Sequence, residues 1–148
     1  MLLIMFSAIV VLLAPQTPPP NPSCSLLTPA QVTSLIGVAK TTPVSSGPLG
    51  SACRLQAADE VIVVLIVNGT SLEDSTRLFE SKKKIVAGAA LPGWTLPAYA
   101  GSQGPTVSVV GFLKGQTFIE VKVVDAPPAT EGMSAKLQAI MKEIAGRK

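Results

Sequence analysis

The stretch Val61-Ile62-Val63-Val64-Leu65-Ile66-Val67 decides the fold class. Seven consecutive apolar residues rich in β-branching suit a strand, because branched side chains pack well on a pleated surface. An unbroken apolar run, in place of alternation, predicts a central strand covered on both faces. Cys53-Arg54-Leu55-Gln56-Ala57 is a second strand candidate, turned into the first by Asp59-Glu60. Asn68-Gly69-Thr70 ends the run as a turn and also matches an N-glycosylation sequon. Thr70 and Glu73 then form a capping box that opens a helix to about Ala87, with Leu72, Leu78, Phe79, Ile85 and Val86 as its apolar positions. Glu73 and Asp74 lie at the positive end of this helix and Lys82, Lys83 and Lys84 at its negative end, so the lysine run needs no anion to explain it.

Upstream, Thr28-Pro29-Ala30-Gln31 is a capping box with proline at the first helical position, followed by Val32, Leu35 and Ile36 and closed by Gly37. From Gly37 to Gly50 small and polar residues predominate, which reads as a loop with one strand near Val44. Downstream, Leu91 to Pro97 is a loop carrying Trp94, and Tyr99 falls in a short edge strand. Thr106–Leu113 and Gln116–Val124 read as a hairpin about Lys114-Gly115. In its second strand Ile119, Val121 and Val123 share one face and Phe118, Glu120 and Lys122 the other, so one side of the sheet is expected to be partly wet. Pro127-Pro128 ends the strand, and Thr130 caps a last helix with Met133, Leu137, Ile140, Met141 and Ile144 on one stripe. The expected architecture is α+β, with helices packed on a largely antiparallel sheet of about five strands.

The 148 residues are enough for one domain with a real core and not for two. Twelve Lys and Arg against nine Asp and Glu give +3 without a charge block, which disfavours disorder and a dedicated polyelectrolyte binder. The chain has no histidine, and with it go every Ser-His, Cys-His and His-metal scheme. Between Leu2 and Ala14 only Ser7 is polar. That run reaches roughly 20 Å as a helix, short of a hydrocarbon core near 30 Å. Residues 1–14 therefore read as a secretory signal peptide or a short retained anchor, and the protein as secreted or periplasmic. Residues 15–23, with five prolines, read as an extended linker, and residues 24–148 as the folded domain. Cys24 and Cys53 are the only cysteines. In an exported chain they are most simply a disulfide; a free thiol pair and lipidation of Cys24 are the alternatives.

The segment Pro22-Ser23-Cys24-Ser25-Leu26-Leu27-Thr28, its helix ending at Gly37 and a second cysteine at Cys53-Arg54 before a strand, resembles a group of small exported bacterial two-cysteine domains of unknown function. Those proteins, often lipoproteins, open with Pro-Cys-x-Leu-Leu-Thr and carry a glycine-containing loop like Pro92-Gly93-Trp94 before a hairpin and a terminal helix. The likeness spans roughly residues 22 to 146. It implies a disulfide-linked α+β fold akin to the sandwich of PsbP-like proteins, and it brings no catalytic residues. Here Ser23 separates Pro22 from Cys24 and no lipobox precedes the cysteine.

For catalysis, the adjacent carboxylates Asp59-Glu60 and Glu73-Asp74 have structural roles, and no phosphate loop or nucleophile elbow is present. The chain is expected to be no enzyme and to carry no cofactor or metal. Six aromatic residues are too few for a stacking nucleic-acid surface. The expectation is a secreted or membrane-tethered, non-catalytic binding module of the bacterial cell envelope. Its partner would be an extracytoplasmic protein or a small apolar ligand, and a membrane tether would run through residues 2–14. The alternative is a structural envelope or assembly subunit without a small-molecule ligand. Two surfaces are candidates for binding: the loop around Trp94 and Tyr99, and an open sheet face with Phe112, Phe118, Glu120 and Lys122.

Overall fold

The apolar run becomes strand β3 (Glu60–Asn68) in the computed structural model, which describes residues 20–126 and 130–148. The signal or anchor segment, most of the proline-rich linker and Pro127-Pro128 lie outside the described residues. In chain order the other elements are α1 (Pro29–Ile36), β1 (Lys40–Gly47), β2 (Gly50–Ala57), α2 (Leu72–Ile85), β4 (Ala89–Ala90), β5 (Ala98–Ser102), β6 (Val107–Lys114), β7 (Thr117–Val124) and α3 (Met133–Ala145). The strands form one open sheet in the order β1-β2-β3-β7-β6-β5-β4, antiparallel at every step. The α+β class stands, with seven strands where about five were expected.

The strand expected near Val44 is β1, longer than its sequence shows, and β4 was not expected; each has a physical reason for being hard to read. All eight residues of β1 are exposed, so its sequence carries no apolar alternation. It is held by backbone pairing to β2, with a break in register between Pro43 and Ser45. The two-residue β4 pairs with β5 through Ala89 and Ala90, which places Tyr99 inside the sheet and not at its edge.

Register divides the side chains into two cores. On one face Cys53, Leu55, Ile62, Val64, Val121, Val123, Val110 and Phe112 pack beneath Val32, Leu35 and Ile36 of α1 and Leu137, Met141 and Ile144 of α3. On the other, Phe79 of α2 and Val86 close over Tyr99, Val109, Leu113 and Phe118. Each aliphatic side chain fully withdrawn from water contributes roughly 1.5–3 kcal/mol, so these two layers dominate stability. The cover over β3 is unequal: Ile62, Val64 and Ile66 are buried, whereas Val61, Val63, Leu65 and Val67 are half-buried. Of these four only Leu65 and Val67 pack against the cluster under α2, which lies chiefly on β5, β6 and β7.

Local signals place the helices to within a residue or two. The capping box of α1 forms: the Thr28 hydroxyl accepts from the Gln31 N–H, and the Gln31 side chain accepts from the Thr28 N–H. For α2 the cap is Ser71 instead of Thr70, because the Ser71 hydroxyl accepts from the Asp74 N–H while Thr70 donates to the Asp74 carboxylate. The cap of α3 is Gly132 instead of Thr130, in the left-handed conformation that glycine adopts without strain. The Thr130 N–H is taken by the Asp125 carboxylate, which leaves Thr130 outside the helix.

Cys24 and Cys53 form a disulfide with Cα atoms 5.1 Å apart, joining the loop before α1 to β2. Residues assigned to the linker continue into the fold: Asn21 donates to the Ser45 and Ala52 carbonyls, and the buried Ser23 hydroxyl meets that of Ser51 at 2.6 Å. The bridge closes a loop of 29 residues' separation, a constraint on the unfolded chain of about 3.5 kcal/mol. Reduction should therefore lower the unfolding free energy by about that amount in urea titrations, whereas a loss below about 1 kcal/mol would contradict the bracing role.

Candidate functional site

A groove of about 520 Å³ lies between α1, the loop before it, and strands β1 and β2. Its buried lining is Leu27, Val32 and Leu55, and the 89% exposed Val38 stands at its rim. Ser25, Thr28, Thr33 and Thr41 add hydroxyls, Cys24 belongs to the lining, and none of the eleven lining residues carries a charge. The wall formed by α1 is only eight residues long, too short to hold itself as an isolated helix. It is fixed from several sides. The disulfide anchors the preceding loop, Arg147 donates to the Leu26 carbonyl at 3.1 Å, and Lys136 donates to the Ser34 carbonyl at 3.0 Å. The result is a preformed apolar concavity of a size that takes a small ligand.

The residues chosen from sequence fall elsewhere, on both faces of the sheet. Phe112 pairs with Ile119 and points toward α1 and α3, whereas Phe118 pairs with Leu113 and points toward α2. Phe112 is fully buried under the half-buried Trp94, with ring centroids 6.2 Å apart. Tyr99 and Phe118 are fully buried beneath α2, and Glu120 is almost so. Trp94 and Tyr99 therefore frame no common surface, and the sheet face expected to be open is closed by α2 over Tyr99, Phe118 and Glu120. Lys122 is half-buried between Val63 and Val109 in register. None of the six lines the groove. Its lining was missed because it comes from three separated segments, brought together by the β1–β2 pairing and by the bridge between Cys24 and Cys53.

Tyr99, Gly111 and Glu120 are cross-strand neighbours on β5, β6 and β7. A Cβ at Gly111 would come within 2.6 Å of the tyrosine ring, so the glycine makes room for the ring to cross β6. The Tyr99 hydroxyl then donates to the Glu120 carboxylate at 2.5 Å, and Phe79 packs 5.2 Å from the tyrosine ring. Burial pushes the Tyr99 phenol well above its ordinary range, with the hydrogen bond to Glu120 and its charge adding to the effect. This is a sealed tie across three strands. At the other end of β3 and β7, burial raises the Glu60 carboxyl, helped by the neighbouring Asp125 carboxylate. Burial acts on Asp125 in the same direction, but hydrogen bonding, from the Thr130 N–H above all, outweighs it and leaves that carboxyl lowered. Asp125 thereby holds the segment leading into α3.

Among the described residues there is no group of three His, Cys, Asp or Glu placed to hold a metal ion, and no helix is long and apolar enough to cross a membrane. Compared with known proteins, the chain matches no family model, no curated protein and no solved structure.

Two outcomes follow from the buried aromatics. Tyr99 is the single tyrosine, so the rise in absorbance at 295 nm from phenolate, taken above the Trp94 background, is its own. Because folding favours its protonated form, its contribution to stability is present below the unfolded tyrosine value near 10 and is lost as pH rises beyond it. Phenolate should appear together with unfolding; ionisation near pH 10 in the folded protein would contradict the tie to Glu120. Trp94→Ala should cost about 1–3 kcal/mol in denaturant titrations through lost packing on Phe112, and a change below about 0.5 kcal/mol would contradict that role.

Proposed function

We propose that this chain is a secreted or membrane-tethered, non-catalytic binding module of the bacterial cell envelope, and that it takes an uncharged apolar ligand in the groove beside Cys24. The groove carries the reading. A concavity with a buried aliphatic lining, a few hydroxyls and no charge is suited to holding an apolar body and unsuited to acid–base chemistry. Export is supported by the apolar run Leu2–Ala14 and by the disulfide, since such bridges persist in oxidising compartments. The likeness of Pro22–Thr28 to exported two-cysteine domains points the same way.

The second reading, an assembly subunit, draws on the outer edge of β1, which pairs with no other strand among the described residues. Lys40, Pro43 and the break in register beside Val44 blunt that edge, as strands do that avoid pairing with another chain. Binding is therefore the better supported of the two.

The test is fluorescence titration with the neutral probe N-phenyl-1-naphthylamine. The wild-type protein should bind it, and Thr41→Arg, a change at an exposed position in the lining, should weaken binding by at least about tenfold by placing an unpaired charge there. Stability of the variant should stay within about 0.5 kcal/mol of wild type. A wild type that binds no probe, or an arginine variant that binds equally well, would remove the groove as the site.

A further inference from the structure

Resting on the binding role proposed above, we infer that the occupant of the groove is the aliphatic chain of an uncharged lipid, taken from the bilayer beside which the domain sits. Charge restricts the ligand first. A carboxylate, phosphate or ammonium drawn into this lining would lose its hydration and meet no counter-charge. The polar groups present are the hydroxyls of Ser25, Thr28, Thr33 and Thr41, which match the ester and hydroxyl oxygens at the neutral end of a lipid.

Position restricts the source. Cys24 and Ser25 line the groove and follow directly on the proline-rich stretch that ends at Pro22, at whose far end stands the apolar run Leu2–Ala14. The eight residues from Pro15 to Pro22 span at most about 29 Å, so a bilayer that retains Leu2–Ala14 lies within reach of the groove. Exposed aliphatic surface lies along the same segment. Of the five large hydrophobic residues that are exposed among the described residues, Val38, Val44 and Leu49 fall on β1 and its two flanking connections. Val38 is at the groove's rim, where an aliphatic side chain in water is replaced by one in contact with lipid.

An extended peptide is the other occupant that a groove beside a sheet edge invites. Pro43 lacks an N–H, and the register breaks between it and Ser45, so the free edge of β1 offers an interrupted row of donors and acceptors. A lipid chain needs no such row.

The experiment uses the full-length oxidised chain with phosphatidylcholine vesicles that contain a monoacylglycerol bearing a diazirine in its acyl chain. After photolysis, cross-linked residues are mapped by mass spectrometry, and N-phenyl-1-naphthylamine binding is measured on the same preparation. Adducts are expected on groove residues, Val32, Val38 and Leu55 among them. Val38→Asp, at an exposed position, should cut groove adducts by at least about tenfold while adducts on residues 2–14 persist. Adducts confined to residues 2–14, or none at all, with the probe still bound, would overturn the lipid assignment and leave the binding role standing. So would loss of groove adducts to an uncharged valine-rich peptide but not to added monoacylglycerol. Failure to bind the probe would overturn both readings together.

Discussion

The Cys24–Cys53 bridge is the constraint on which the candidate site depends. Helix α1 has eight residues, a length at which nucleation outweighs propagation, and its own contribution to the core is Val32, Leu35 and Ile36. Besides that packing and the hydrogen bonds from Arg147 and Lys136, what keeps it over β2 is the bridge, which ties the loop before the helix to a fully buried residue of the sheet. Asn21 and Ser23 reinforce the same seam with hydrogen bonds to Ser45, Ala52 and Ser51. The groove is the space this attachment leaves between the helix and the edge of the sheet. Its existence is thereby coupled to an oxidising environment, because the bond that positions its wall persists only there.

The remainder of the sheet is built for rigidity. Strands β6 and β7 are covered on one face by α3 and on the other by α2, and the Tyr99–Gly111–Glu120 tie links them to β5. Toward β1 the cover thins: β3 is half-buried on its second face and β1 is exposed along its whole length. Binding surfaces are drawn from regions of lower local stability held by a firm scaffold, and the groove sits at that boundary. The two ends of the sheet thus have different roles, one a packed body and the other an accessible margin.

Sequence patterning made the body legible and the margin obscure. The run Val61–Val67, the hairpin and the stripe of α3 follow directly from apolar periodicity, since burial itself imposes that pattern. The length of β1 was hidden because neither of its faces is covered, and β4 because two alanines carry no pattern. Phe112 and Phe118 do not share the face expected of them: Phe112 pairs with Ile119 and Phe118 with Leu113, which sets the two rings on opposite faces of the hairpin, and a turn at Lys114-Gly115 sets them there as well. Glu120 appeared solvated because a lone carboxylate on a strand usually is; its burial depends on Tyr99, a partner on another strand, and on the absence of a side chain at Gly111. The groove itself was signalled only by the two cysteines, once their pairing placed α1 against β2.

The central claim is that the disulfide positions α1 to form the groove while the rest of the sheet stands without it. Native-state hydrogen exchange on the oxidised and reduced protein tests this most directly. The account predicts that reduction strips protection from the amides of α1 and the β1–β2 ladder while those of β5, β6, β7 and α3 stay protected. Unchanged protection of α1, or an equal loss across the whole sheet, would contradict it.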